Sequence, residues 1–171
     1  MKRLIKFAIL GGIVTFLTGL VYVTMQQNYR QNANDPQIQL AQDTASSMAI
    51  NRPVSLTGPV EMSTSLAPFI MIFDAKGKPS AWSGTLNGKI VTPPSGVFEA
   101  AKTYGEDRVT WQPGPHVRIA AVIVPIDEGK KGYVLAGRSL LEVEKRENSL
   151  LVTTGILWAA SLFLCGMFVL L

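Results

Sequence analysis

Two long apolar blocks bracket a chain whose middle switches repeatedly between helical and alternating patterns. The first block runs from Phe7 to Met25 and the second from Leu150 to Leu171, and neither contains a charged side chain. About 20 apolar residues rising roughly 1.5 Å each cross a hydrocarbon layer about 30 Å thick, so both blocks predict transmembrane helices. After the first, Gln26 to Asn34 is polar and without period. Asp35 then suits a helix N-cap and Pro36 the first helical position, where a missing N–H costs nothing. Ile38, Ala41, Ala45 and Met48 follow at spacings of three and four, which makes a narrow apolar stripe on a helix that ends at Asn51 to Pro53.

From Pro68 the pattern becomes extended. "FIMIFDAKGKPSAWSG" reads as a strand, a turn on Asp74 and Gly77, and a second strand carrying Trp82. Asn87-Gly88 predicts another tight turn. Ser95 suits the N-cap of a short helix bearing Val97, Phe98 and Ala101, with Gly105 as terminator. Three strands follow, over Arg108–Gln112, His116–Ile126 and Gly132–Arg138, the last two joined by "DEGKK" as an antiparallel hairpin. The second half of the His116–Ile126 strand is apolar on both sides, as in a central strand. The order predicts an α+β domain in which a single antiparallel sheet carries helices on one side.

Ser139 and Glu142 form an S-x-x-E capping box, so a helix starts directly after the last strand. Glu142 and Arg146 then stand at i, i+4, worth roughly 0.2 to 0.5 kcal/mol to that helix. No Pro or Gly intervenes between Leu140 and Thr154, so the helix is expected to run into the second apolar block without a hinge. Four segments result: residues 1–27 as N-terminus and first membrane helix, 28–138 as the intervening domain, 139–149 as connecting helix and 150–171 as second membrane helix.

Charge sets the expected topology. Three of the 16 Lys and Arg, namely Lys2, Arg3 and Lys6, precede the first block, which places the N-terminus in the cytoplasm by the positive-inside rule and the middle domain outside. A cleaved signal peptide competes, but the apolar run exceeds the usual length of such a segment and no A-x-A-like site follows. The other basic residues and all 12 acidic ones lie between the blocks, leaving that domain close to neutral. The pI of 9.3 therefore reflects topology and gives no reason to expect a nucleic-acid partner. The single cysteine, Cys165, falls within the second block, so no intramolecular disulfide forms.

The layout resembles the sensory half of bacterial two-component histidine kinases: a transmembrane helix, a small PAS-like (PDC or Cache-type) extracytoplasmic domain, and a second transmembrane helix. The resemblance rests on "APFIMIFDAKGKP" at Ala67–Pro79, "RVTWQPGPHVRIAAVIVPI" at Arg108–Ile126 and "GYVLAGRSLLEVEKRE" at Gly132–Glu147. It implies a bacterial inner-membrane location and a PAS-like antiparallel sheet with a long N-terminal helix and a short covering helix. It also implies a ligand pocket between the sheet and that short helix or its loops. Trp82, Tyr104, Trp111, His116, Arg118, Tyr133 and Arg138 are the polar or aromatic residues expected to reach such a pocket. Arg118 or Arg138 could clamp a carboxylate in a bidentate fork, or Arg138 could brace the strand-to-helix junction beside Ser139.

The chain departs from that family in having neither a phospho-acceptor histidine helix nor an ATP-binding domain. Its one histidine, His116, falls in the outer domain by the topology above. One histidine, preceded by Pro113 and Pro115, with no G-x-S-x-G, gives no nucleophilic triad; scattered acids give no metal set; and no phosphate cradle is present. No enzymatic activity, cofactor or metal is expected. Gly11, Gly12, Thr15 and Gly19, with Gly155, Ala159, Ala160 and Gly166, offer small-residue faces for close helix approach, including homodimerisation. The expected function is a two-pass membrane protein whose outer domain binds a small molecule or a separate membrane signalling protein and transmits its state to the membrane helices. The competing expectation is a scaffold or assembly protein that uses the outer domain only for protein contacts.

Overall fold

The computed structural model describes residues 2–32, 35–56 and 58–170. The chain is α+β and divides into two compact units: Met1–Gln31 together with Val143–Leu171, and Asn32–Glu142. The first unit is a pair of long helices, α1 (Lys2–Asn32) and α4 (Leu141–Leu170), the latter starting in the last residues of the second unit. Both are long and apolar enough to cross a membrane. α1 continues through the polar segment to Asn32, where no element was expected. An established helix propagates through Gln and Asn residues with little penalty, since most of the cost of a helix lies in nucleating it.

The second unit holds α2 (Asp35–Ala49), β1 (Val60–Glu61), β2 (Phe69–Phe73), β3 (Pro79–Trp82), β4 (Gly84–Thr85), α3 (Gly96–Tyr104), β5 (Asp107–Gly114), β6 (Val117–Ile126) and β7 (Gly132–Ser139). Five strands make one antiparallel sheet in the order β3-β2-β7-β6-β5. β7 is central, and six of its eight residues, Gly132 to Gly137, form a continuous buried run. The expected hairpins are present: β2–β3 turns on Asp74, whose carboxylate accepts the backbone N–H of Lys76 (2.8 Å) and Lys78 (2.9 Å), with Gly77 at φ 76°. Asn87 and Gly88 both take positive φ in the tight turn that lets Leu86 and Lys89 pair.

The helices do not share one side of the sheet. α2 packs on β6 and β7 from one face, where Ala41 and Ala45 meet Ile70, Ile72, Val122, Val134 and Ala136. α3 packs on β5 and β6 from the other, where Phe98 and Ala101 join Phe69, Met71, Phe73, Ile119, Ile123 and Leu135. The reason lies in the strands: β2 is buried at all five residues, so each face needs an apolar cover. α2 starts at Asp35 with Pro36 in its first turn and turns the stripe foreseen for it to the sheet, burying Ala41 and Ala45 and partly burying Ile38 and Met48; the capping role of the Asp35 side chain lies outside the described residues. Ser95 precedes α3 in helical conformation and its side chain makes no capping bond, its carbonyl instead accepting the N–H of Phe98 at 3.1 Å. Gly105 ends the helix in the left-handed region, as its position suggests.

A parallel pair absent from the sequence-level reading, β1 with β4, joins Val60 to Gly84 and Glu61 to Thr85. It brings Val60 and Met62 onto the α3 face. Phe69 sits between Gly84 and Gly137, and a Cβ on either glycine would overlap its ring.

Candidate functional site

Three places in the structure carry features that packing alone does not demand: the β7–α4 junction, a cleft on the α3 face, and the seam of the helix pair. At the junction one residue, Leu140, separates β7 from α4. Its N–H is held by the carbonyl of Arg118 on β6 at 2.8 Å, so strand pairing persists one residue past the end of β7. The buried Ser139 turns its Oγ to accept the N–H of Leu141 at 3.3 Å, which satisfies one of the orphan donors at the helix start. Arg138 donates through Nε to the carbonyl of Leu66 at 2.9 Å, tying the end of β7 to the loop before β2. Glu142 lies in the first turn of α4, which then continues without interruption to Leu170.

The cleft lies between the segment Ile90–Pro94, Val97 at the start of α3, and Val109–Pro113 of β5, with a volume of about 780 Å³. Its walls are apolar or hydroxylic, with the amide of Gln112 and no charged side chain. Trp111, 6% exposed, forms its floor and joins the core beneath.

The seven residues expected to share a pocket do not converge there. Only Trp111 lines the cleft. Tyr133 is buried and packs its ring 5.1 Å from that of Phe98. Tyr104 at the end of α3 is 80% exposed and Trp82 at the end of β3 is 40% exposed. His116 takes a left-handed conformation in the exposed turn between β5 and β6. Strand parity separates the arginines from the aromatics: Arg138 pairs with Ala120 and so, with Arg118, alternates onto the α2 face, whereas Trp111 pairs with Ile119 on the α3 face. An arginine clamp within reach of Trp111 is therefore not formed. Sequence periodicity assigned Trp82, Trp111, Arg118, Tyr133 and Arg138 to strands and Tyr104 to a helix, whereas His116, expected to open a strand, falls in the turn before β6; the register that assigns faces comes from pairing.

Two polar features escaped the sequence. Gln37 on α2 is fully buried, and neither its Oε1 nor its Nε2 has a hydrogen-bond partner among the described residues. Nothing in the local pattern separates it from the polar residues around it. Glu61 receives the backbone N–H of Asn87, the hydroxyl of Ser63 (2.8 Å) and further N–H donors, which together hold its carboxyl below the ordinary range and fasten β1 to the Asn87-Gly88 turn. Asp74 is likewise lowered, chiefly by the N–H of Lys78. Among the described residues no three His, Cys, Asp or Glu side chains gather as they would around a metal.

In the helix pair, the small-residue face of α1 meets α4 of the same chain. Gly11 lies against Leu162, Gly166 against Phe7, and Thr15 accepts the indole N–H of Trp158 at 3.0 Å. Thr15, Thr18, Gly19, Tyr22, Leu151, Thr154, Gly155 and Trp158 line a cleft of about 220 Å³ along this seam. Of the faces considered for dimerisation, Gly11, Thr15 and Gly166 are thus engaged within one chain, whereas Gly12, Gly19 and Gly155 face open space.

No family model, characterised protein or solved structure matches the chain.

Proposed function

We propose that the chain is a two-pass protein of the bacterial inner membrane, with its N-terminus in the cytoplasm and a PAS-like sensor domain outside. In this reading the outer domain binds a ligand or a protein partner and passes its state to the membrane helices, with no catalytic output of its own, as in the sensory half of a histidine kinase. The observation that carries it is the one-residue junction at Leu140 between the central strand β7 and α4. A strand buried on both faces cannot shift without its neighbours, because packed cores are bistable rather than continuously deformable. A change of sheet pairing or twist therefore reaches the first turn of α4 with no flexible segment to absorb it. Trp111 and its cleft are the favoured ligand site, and the uncharged lining points to an apolar or neutral ligand.

The test begins with the full chain in nanodiscs on a Cys165→Ser background. A metabolite library is screened for compounds that raise its melting temperature. A stabilising compound should change the rate of disulfide formation between Thr18→Cys and Thr154→Cys, residues that line one cleft of the helix pair. The change should vary in sign with one, two or three residues inserted after Asn148, since each rotates the helix by about 100°. A stabilising compound that leaves this rate untouched in every insertion variant overturns transmission.

A scaffold reading is favoured by the scatter of Trp82, Tyr104 and His116 away from the face that carries Arg118 and Arg138. It expects no stabilising metabolite and a protein that copurifies with the chain.

A further inference from the structure

At the end of the helix pair where α1 begins, two cations border an apolar groove. Arg3, Lys6, Ile9 and Leu10 recur at helical spacing along α1, and Phe168 and Val169 of α4 close the other wall of a groove of about 590 Å³. The apolar lining is laid open: Ile9 is 58% and Phe168 74% exposed. α1 contains no Asp or Glu, and the acids of α4 stand in its first turns, at the opposite end from Phe168. Arg3 donates one Nη1 hydrogen bond to the carbonyl of Leu170 at 3.2 Å, which uses the negative end of the α4 dipole to orient the guanidinium fork while leaving other N–H donors on it.

We propose that this groove holds one anionic phospholipid, its phosphodiester between Arg3 and Lys6 and an acyl chain along Ile9, Leu10, Phe168 and Val169. The inference rests on the membrane reading of the two helices, though not on their orientation. The chemistry selects the occupant. Exposed apolar walls require hydrocarbon, two adjacent cations with no acidic side chain beside them among the described residues call for an anion, and an anionic phospholipid supplies both in one molecule. A free phosphate would leave the walls uncovered, and a zwitterionic lipid brings its own cation into the site. Arg3 suits the task because its planar fork can grip two phosphate oxygens at once, and Lys6 adds a point charge one turn on.

The test uses the full chain in nanodiscs of equal phosphatidylcholine and phosphatidylglycerol, with lipids that remain bound counted by native mass spectrometry. The wild-type chain should retain phosphatidylglycerol selectively. Arg3→Gln or Lys6→Gln should each lower that selectivity roughly five-fold and the pair roughly 25-fold, from about 1 kcal/mol per cation at a membrane surface. Lys2→Gln removes the same charge outside the groove and should change it little, and Phe168→Ala should shorten retention of either lipid. Selectivity that falls equally with Lys2→Gln would mean diffuse surface charge and overturn the site. Full incorporation without phosphatidylglycerol selectivity would overturn the proposal alone, whereas failure to enter nanodiscs of any composition would overturn the membrane reading beneath it. Added inorganic phosphate should not displace the lipid, and displacement at millimolar phosphate would argue for a simple anion site instead.

Discussion

Trp158 on α4 donates its indole N–H to the hydroxyl of Thr15 on α1, and Thr15 in turn donates to the carbonyl of Gly11 one turn back. The hydroxyl thereby serves both helices at once. Gly11 lies against Leu162, where a Cβ would stand 3.4 Å from the leucine side chain, close to ordinary van der Waals contact. Hydrogen bonds between helices in lipid are worth about 0.6 kcal/mol on average and up to about 1.7. Thr15→Val and Trp158→Phe should each weaken the pair by an amount in that range. The double variant should cost no more than either single change, because both delete the same bond. Steric-trap or cross-linking equilibria in bilayers measure this, and strictly additive losses would show that the two residues act separately.

Gln37 should be replaceable with a gain. Its amide is fully buried without a partner among the described residues, a state that costs about 1 to 3 kcal/mol. Gln37→Met keeps the length and flexibility of the side chain and removes the polar atoms. The sheet-bearing unit should then melt higher, by about 4 to 8 °C for each kcal/mol recovered. A lower melting temperature would reveal a partner that the amide satisfies in solution.

Gly137→Ala should be among the most damaging small changes in the sheet. A Cβ there would enter the ring of Phe69, which is buried in the core between β2 and β7. Overpacking of this kind costs about 1 to 3 kcal/mol. Phe69→Leu alone should also destabilise, but the combined variant should recover part of the loss, since the smaller side chain leaves space for the methyl group. Chemical unfolding of the four proteins gives the coupling directly.

Acid should loosen the loops around β1 and β2 before it unfolds the sheet. Glu61 and Asp74 both have folded-state pKa values below their ordinary ones, through the N–H of Asn87 and of Lys78 respectively. Their contribution is therefore complete above the ordinary carboxylate range, about pH 4, and disappears as the pH falls through the lowered values. Glu61→Gln and Asp74→Asn should each flatten the fall of the denaturation midpoint below about pH 4.5 and leave its shape above pH 6 unchanged. An unaltered acid limb in both variants would remove these carboxylates from the account.

Much of the sheet-bearing unit was legible because its signals are local. The stripe Ile38-Ala41-Ala45-Met48, the turns at Asp74-Gly77 and Asn87-Gly88, and the left-handed stop at Gly105 each depend on a few adjacent residues. The β1–β4 pair was not legible, because two-residue strands carry no period and their pairing joins Val60 to Gly84. Ser95 shows the limit of a favourable residue type: it stands where a cap belongs, yet its helical backbone withholds the side chain from the role.

The amino-acid sequence by itself determined two membrane-length apolar helices, the α+β content and the start of a helix just after the last strand, since hydrophobic run length, periodicity and capping chemistry act over one or two turns of chain. Tertiary structure decided that the sheet is covered on both faces, that Arg118 and Arg138 stand opposite Trp111 and Tyr133, that Gln37 is sealed in without a partner, and that Thr15 meets Trp158. Those outcomes depend on strand register and helix packing between residues far apart in the chain, where a shift of one position exchanges the faces of an entire strand.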